Sequence, residues 1–223
     1  MATRLHLIRH GATTLSAEDR FAGAVDVPLS DEGRAQAERL GARLASIKLS
    51  ALYASPLSRT LETARLVGAP QGLEPRLEAG LREIAHGHWE GLRRQEVEER
   101  FGDEYEAWES DPFTFAPPDG ETGLAVMARA LPVIREIVLR HPDDNVAVVS
   151  HKATIRLLLC SLLGIDARGY RDRLDQAPAC LNIVDFKGPV RARLMLYNDT
   201  SHYAVEARRA AGQLSKWWDE SKG

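Results

Sequence analysis

Cysteine is scarce in this chain of 223 residues, which contains only Cys160 and Cys180. Neither residue belongs to a CxxC or CxxH pair, so the sequence offers no cysteine-based zinc site and no disulfide framework. Both cysteines lie in apolar stretches of the chain. We predict that they are small buried hydrophobic residues of a protein in the reducing cytoplasm.

Long apolar runs and an excess of one charge are also missing. No stretch approaches the roughly 20 apolar residues of a membrane span, and the first predicted strand begins near Thr3, which leaves no room for a cleavable signal. The 29 basic and 32 acidic residues give a net charge of -3 and form no long run of either sign. We therefore expect neither a membrane nor a nucleic acid as a partner.

What remains is the composition of a globular protein with a sizeable core, because 44% of the residues are hydrophobic and 27% are charged. We expect a single domain over residues 1–223. Apolar segments predict strands at 3–9, 51–55 and 145–150, and a hairpin of two further strands follows at 180–186 and 191–197.

Helix signals follow the first three strands. Ser30 predicts an N-cap, and the residues after it place Ala37, Leu40, Leu44 and Ile47 on one buried face. Ser55 predicts a second N-cap with Pro56 at the first helical position, and a third helix after residue 150 ends at Gly164. This alternation predicts an α/β fold: a three-layer αβα sandwich with a mostly parallel central sheet and an antiparallel edge strand.

The middle of the chain is different in character. Residues 82–119 concentrate aromatic side chains and show helical periodicity only in patches, so we expect a cap-like helical and loop insertion over the active site. A helix is predicted at 121–140, where Pro132 should kink it or restart it as a second helix. The tail, about residues 205–223, is expected to form a surface helix.

Charged and polar side chains stand at the predicted strand ends. The first strand ends in Arg9, His10 and Gly11, Arg59 lies in the first turn after the second, and His151 follows the strand at 145–150. Ligands of open α/β sheets bind at the carboxyl ends of the strands, so these side chains should converge. Arginine forks and helix N-termini bind phosphate oxygens, which predicts a phosphate pocket.

The chemistry follows from the residue types. Nearby cations disfavour the imidazolium form, so His10 should be neutral enough to attack phosphorus. The departing alkoxide then needs a proton, and a carboxylic acid is the natural donor. Glu83, in LREIAHGHWEG, is our candidate. If Glu83 is instead an ordinary ion-pair partner, Glu90 or Glu121 is the acid.

Five ordered segments carry a family resemblance: LIRHGATT with DVPLSDEG, SPLSRTLETA, LREIAHGHWEG, GET at 120–122, and VVSHKATIR. Together they resemble the histidine phosphatase superfamily, in its phosphoglycerate-mutase-like branch, from Leu5 to about Leu163. The resemblance implies a phosphohistidine on His10 and no metal or other cofactor. It also implies a phosphate pocket of Arg9, Arg59 and His151, with Glu83 as proton donor.

The resemblance extends to weaker positions and has two departures. Ser16 stands where relatives commonly carry a phosphate-contacting asparagine, and Gly23 falls in a substrate-facing loop. Ala12 replaces a glutamate that usually follows RHG. Lys152 replaces a glycine after the second histidine. Its backbone N–H should still bind phosphate, while its side chain either meets a second anionic group or points to solvent.

Two further histidines, His86 and His88, raise the question of a metal, since they point the same way on an extended segment. No carboxylate or cysteine set at ligand spacing accompanies them, so we expect no metal. Our interpretation is that one of them, with His86 as the candidate, lines the substrate mouth. Simple loop packing is the alternative.

The predicted function is a metal-independent phosphomonoesterase that hydrolyses a small phosphorylated metabolite. One alternative is a 2,3-bisphosphoglycerate-dependent phosphoglycerate mutase, which would use the same pocket. The segments REIAHGHWEG and FTFAPPDG favour the phosphatase. A non-catalytic phosphate-binding protein is the second alternative. The resemblance also allows a homodimer, and the sequence leaves the substrate open.

Overall fold

The computed structural model describes residues 2–15 and 20–204. Within these ranges the strands are β1 (Thr3–Arg9), β2 (Ala51–Ala54), β3 (Arg76–Leu77), β4 (Asn145–Ser150), β5 (Leu181–Lys187) and β6 (Arg191–Asp199). The α-helices are α1 (Asp31–Leu44), α2 (Ser58–Gly68), α3 (Arg94–Arg100), α4 (Gly102–Ser110), α5 (Gly123–Arg140), α6 (Lys152–Leu163) and α7 (Tyr170–Arg173).

The strands form one sheet in the order β3-β2-β4-β1-β5-β6. The first four run parallel to their neighbours, whereas β5 pairs antiparallel with both β1 and β6. The prediction of a mostly parallel sheet with antiparallel pairing at one edge is therefore confirmed. The short outer strand β3 was missed, because two exposed residues carry no strand signal.

Apolar side chains cover both faces of this sheet. On one face Leu5, Leu7 and Val148 pack against residues of α5 and α6 such as Ile134 and Leu158. The alternate residues of the strands face the other way and pack against α1 and α2: Ile8, Leu52, Val149, Leu40, Leu44, Ala64 and Val67. Because successive residues of a strand point to opposite faces, both layers are filled by the same strands.

The predicted helix starts were partly right. Ser30 caps α1, since its Oγ accepts a hydrogen bond from the N–H of Gly33 at 3.1 Å. Ser55 does not cap α2, which begins at Ser58 after Leu57. Its Oγ lies 2.8 Å from Nε2 of His151. The same Oγ also accepts a long hydrogen bond of 3.4 Å from the N–H of Leu57, so Ser55 contacts the residue before α2 but no N–H within the helix.

Pro132 does not restart the helix around it. Helix α5 is one element from Gly123 to Arg140, with Pro132 inside it on the exposed side. Proline removes one i to i−4 hydrogen bond, here to the carbonyl of Ala128, and that loss is tolerated best where the carbonyl can reach solvent. The buried side of α5 remains continuous.

The region 82–119 builds a small aromatic core of its own. Phe21, Trp89, Val97, Tyr105 and Trp108 are all buried and pack together, which ties helices α3 and α4 to the loop that carries Phe21. Rings of Phe21 and Trp108 stand edge to face with centroids 5.5 Å apart, a favourable aromatic geometry. This aromatic core places Trp108 beside the cleft described below.

Both cysteines are buried and unpaired, as predicted. Within residues 2–15 and 20–204, none of the helices has both the length and the apolar character that a membrane crossing needs. The predicted tail helix at 205–223 lies outside the described residues.

Two glycines allow the loop after β1 to rest on the start of α1. A Cβ at Gly11 would lie 2.3 Å from the carbonyl oxygen of Gly33, and a Cβ at Gly33 would lie 2.0 Å from that of Ala12. Both obstacles are backbone atoms, which cannot rotate away. The first turn of α1 therefore sets where the loop after β1 runs.

We expect Gly33→Ala to destabilise the fold by about 1–3 kcal/mol, because the added methyl must displace backbone. Gly102→Ala is the matched control, since no atom lies within 4 Å of a Cβ at the start of α4. Urea denaturation of both variants measures the difference. Equal stabilities would contradict the close backbone contact.

Candidate active site

Strand register brings the sequence-predicted residues to one edge of the sheet. Arg9 on β1 pairs with Ser150 on β4, and the N–H of His10 donates to the carbonyl of Ser150 at 3.1 Å. On the other side of β4, the N–H of Ser55 donates to Val149 at 3.1 Å. The residues that follow β1, β2 and β4 therefore meet, as predicted.

His10 is held in one orientation by its own loop. Its Nδ1 lies 2.8 Å from the carbonyl oxygen of Gly11, a group that can only accept a hydrogen bond. Nδ1 therefore carries the proton, and the lone pair of the neutral ring is on Nε2. The peptide that carries this carbonyl is fixed from α1, because its N–H, that of Ala12, donates to Gln36 Oε1 at 3.1 Å. The preceding peptide is fixed from α2, because the N–H of Gly11 donates to Thr63 Oγ1 at 3.1 Å.

Burial, followed by the charges of Arg9 and Arg59, holds the pKa of His10 well below its ordinary value of 6.5. The neutral ring, which has an available lone pair, is consequently the stable form at neutral pH. This is the protonation state that nucleophilic attack requires.

The two predicted arginines occupy different positions around His10. Arg9 donates from Nη1 to the carbonyl of Gln176 at 2.6 Å, and its Nε is buried with no hydrogen-bond partner among the described residues. Arg59 donates to the carbonyls of Val25 and Gly23 at 2.8 and 2.7 Å. Both side chains line the cleft, so both bring positive charge to it. Arg59 is buried, although it stands in the first turn of a surface helix.

His151 lies behind His10 rather than in the cleft wall. The two ring centroids are 5.3 Å apart, and His151 is fully buried. Its Nδ1 accepts a hydrogen bond from Nε of Arg59 at 3.3 Å, which leaves the proton on Nε2 beside Ser55. Burial, then the charge of Arg59, lowers the pKa of His151 well below its ordinary value. His151 thus links Arg59 to the nucleophile candidate.

Glu83 enters the cleft at the N-terminus of α6. Its carboxylate accepts hydrogen bonds from the backbone N–H groups of Ala153 and Thr154, both at 3.2 Å, and from the hydroxyl of Thr154 at 3.2 Å. A helix N-terminus favours a negative group, so the first turn of α6 positions this acid.

The alternative acids serve other purposes. Glu90 accepts from the N–H groups of Ala24 and His86 at 2.8 and 3.0 Å and so ties two loops together. Glu121 forms a two-pronged ion pair with Arg129 at 2.8 Å. Neither lines the cleft, whereas Glu83 does.

The cleft has a volume of about 230 Å³. Besides the residues already placed, its wall includes Arg156 and several side chains without a signal in the sequence, among them Thr13, Arg20, Phe21, Trp108, Tyr170 and Arg171. Arg171 stacks on Trp108, with its guanidinium carbon 4.3 Å from the ring centroid. Helix α7, which carries Arg171, has four residues and shows no periodicity that could have revealed it.

Only some of the weaker site candidates line the cleft. Gly23 and His86 line the cleft, and the ring of His86 packs on Phe21 at 4.9 Å. His88 instead pairs with Glu104 at 2.7 Å, away from the cleft. Gly23 has a φ of +34°, and a Cβ there would meet Glu90 at 2.4 Å. Ser16 lies outside the described residues.

Lys152 is the first residue of α6, and its side chain lines the cleft instead of pointing to solvent. Its Nζ lies 3.5 Å from Asp175. Burial, followed by the charges of Arg156 and Arg9, lowers the pKa of this ammonium to about 7. Its backbone N–H belongs to the same helix start that holds Glu83.

Fold and cleft together define an α/β protein with a cationic cleft at the carboxyl edge of a mainly parallel sheet. The family model of the histidine phosphatase superfamily (branch 1) matches residues 5–200. The chain therefore belongs to the histidine phosphatase superfamily.

Curated relatives and solved structures agree with this assignment. Phosphoserine phosphatase 1 of Hydrogenobacter thermophilus is 30% identical over 93% of this chain and 99% of its own. Glucosyl-3-phosphoglycerate phosphatase of Mycolicibacterium vanbaalenii is 34% identical over 73% and 75%. The structure of Bacillus stearothermophilus YhfR superposes with a TM-score of 0.85, at 31% identity, over 90% of this chain and 99% of that one. The enzyme class that these matches support is phosphoric monoester hydrolase.

Buried neutral histidines make stability depend on pH. The pKa of His10 is lower in the folded than in the unfolded chain, so the unfolded chain binds more protons below 6.5. The free energy of unfolding should therefore decrease as the pH is lowered. For His10 the loss between about pH 7.5 and 5.5 is up to about 1.4 kcal/mol. Urea denaturation of wild type and His10→Asn at both pH values tests this. The variant should lose less stability, and an identical loss would show that His10 titrates normally.

Proposed function

We propose that this protein is a metal-independent phosphomonoesterase that acts through a phosphohistidine on His10. The observation that supports it best is the hydrogen bond from Nδ1 of His10 to Gly11, because it leaves the lone pair on Nε2 of a ring that lines the cleft beside Arg9 and Arg59. A neutral imidazole flanked by cations combines a nucleophile with the charges that hold a phosphate.

In the first step, Nε2 of His10 attacks phosphorus and forms a P–N bond while the bond from phosphorus to the ester oxygen breaks. Arg9 and Arg59 offset the negative charge on the phosphoryl oxygens. The leaving oxygen takes a proton from the carboxylic acid of Glu83, which departs as a carboxylate. The products are an alcohol and phosphorylated His10.

In the second step, a water molecule attacks the phosphohistidine. Glu83, now ionised, accepts a proton from this water, and the P–N bond breaks to release inorganic phosphate. His10 returns to its neutral form, and Glu83 is again protonated. The backbone N–H groups of Ala153 and Thr154 keep the Glu83 carboxylate at one position between the two steps.

The substrate class that we propose is a small phosphorylated metabolite. A cleft of about 230 Å³ suits such a molecule rather than a protein segment. The phosphatase names of the relatives, which include an adenosylcobalamin/alpha-ribazole phosphatase from Escherichia coli that is 30% identical over 82% of this chain, support hydrolysis.

Phosphate release from a panel of phosphomonoesters in excess EDTA tests the nucleophile. Wild type should release phosphate, and His10→Ala should lose at least about 10³-fold in rate, because the covalent route is removed. Brief exposure to substrate should leave an acid-labile, base-stable phosphoryl group on wild type only. Equal activity of the variant would exclude His10 as the nucleophile. Interconversion of phosphoglycerates without free phosphate would favour the mutase.

Glu83→Gln tests the proton donor. We expect a loss of about 10²–10⁴-fold in kcat for alkyl phosphates, whose alkoxides need a proton, and a much smaller loss for the phosphorylation step with p-nitrophenyl phosphate. Glu90→Gln is the matched control, because its amide oxygen can still accept from Ala24 and His86. A burst of nitrophenol measures the phosphorylation step directly. If both esters lose the same factor, Glu83 is not the donor.

A further inference from the structure

The wall of the cleft is strongly cationic. Its described residues include one carboxylate, Glu83, and six arginine or lysine side chains: Arg9, Arg20, Arg59, Lys152, Arg156 and Arg171. Arg9 and Arg59 lie beside His10, and we call these three residues the phosphate cluster. Arg20 and Arg171 are paired with carboxylates on the insertion, Glu96 at 3.8 Å and Glu109 at 2.9 Å, whereas Lys152 and Arg156 share the carboxylate of Asp175. Lys152 and Arg156 form a second cationic group on the cleft wall.

This second group is built on one face of α6. Lys152 and Arg156 are four residues apart, so successive turns of the helix place them side by side. Asp175 shows what they can hold, because one of its oxygens lies 3.2 Å from Nη2 of Arg156 and 3.5 Å from Nζ of Lys152. The pair is therefore spaced to contact a carboxylate.

Arg156 has an unused donor. Its side chain is 9% exposed, and its Nε is buried with no hydrogen-bond partner among the described residues. Nε and Nη2 form one edge of the guanidinium fork, which binds carboxylates through two parallel hydrogen bonds. Only Nη2 of this edge is engaged, with the half-exposed Asp175. A bound carboxylate would take the place of Asp175 and receive hydrogen bonds from both Nε and Nη2.

Lys152 and Arg156 lie close to the place where the leaving group of the substrate is expected. Glu83 is held by Ala153 and Thr154, which lie between Lys152 and Arg156 in the chain. In the reaction proposed above, Glu83 protonates the leaving oxygen, so the leaving group departs toward the start of α6. We propose that Lys152 and Arg156 form a subsite for a carboxylate carried by the leaving group of the substrate.

This inference rests on the proposed function, and it narrows the substrate class to phosphate monoesters of hydroxy acids. The lowered pKa of Lys152 is consistent with it, because a bound anion would stabilise the charged ammonium in its buried position. A carboxylate a few bonds from the ester oxygen would reach both the subsite and the phosphate cluster.

A matched pair of probes tests the subsite. 3-Phosphoglycerate and glycerol 3-phosphate differ in one group, a carboxylate in the first and a hydroxymethyl in the second. We expect wild type to prefer 3-phosphoglycerate by at least about tenfold in kcat/KM, mainly through KM, because a charge-assisted hydrogen bond contributes that much. Lys152→Met and Arg156→Gln should each move this ratio toward one. Lys48→Met, which removes an exposed lysine, should leave the ratio unchanged.

Binding of the same two probes to His10→Ala, measured by calorimetry, reports the preference without hydrolysis. Absence of turnover in wild type combined with carboxylate-dependent binding would contradict the proposed function and retain the subsite. Turnover with equal kcat/KM for the two probes, or a ratio that survives both substitutions, would overturn the subsite. A stronger preference for fructose 1,6-bisphosphate over fructose 6-phosphate would overturn the choice of a carboxylate.

Discussion

The hydrogen bond from Nδ1 of His10 to the carbonyl of Gly11 is the interaction on which the rest of the site depends. It decides which nitrogen of the ring has the lone pair, because a backbone carbonyl can only accept a hydrogen bond. The two peptides that flank Gly11 are held by Thr63 of α2 and Gln36 of α1, and Gly11 itself is pressed against Gly33 of α1. The two helices on one face of the sheet thus hold the carbonyl that orients the ring.

The electrostatics of the cleft follow from burial as much as from charge. His10, Arg59 and His151 are almost completely withdrawn from solvent, whereas Arg9 is partly buried. No carboxylate pairs directly with either arginine in the described contacts. Backbone carbonyls hold the guanidinium groups in place of carboxylates. Such a partner fixes an arginine without neutralising it, and the positive charge remains available to an anion. Gln176, which provides one of these carbonyls, is fixed through its amide by Asn182 on β5.

The sequence was most informative where local patterns determine local structure. The apolar runs of β1 and β4, the Ser30 cap and the Gly164 ending of α6 are short-range signals, and the parallel strand order then brings Arg9, His10, Arg59 and His151 together. The predicted start of α2 was wrong, because the hydroxyl of Ser55 forms its shorter hydrogen bond with His151, which is 96 residues away in the chain. Arg171 and Trp108 were missed for the same reason: a cation stacked on a ring across two elements leaves no trace in either segment. That His151 stands behind His10 also depends on three-dimensional packing.

Arg59 has two tasks that the fold does not separate. The guanidinium that provides charge beside His10 also holds the carbonyls of Gly23 and Val25, and thereby the loop that forms part of the cleft wall. The position of this loop and the positive charge beside His10 consequently depend on one side chain. A substitution that moves the loop would therefore move the charge as well. In contrast, Lys152 and Arg156 project from α6, and a substitution at Lys152 removes none of the described hydrogen bonds that hold Arg59 or His10.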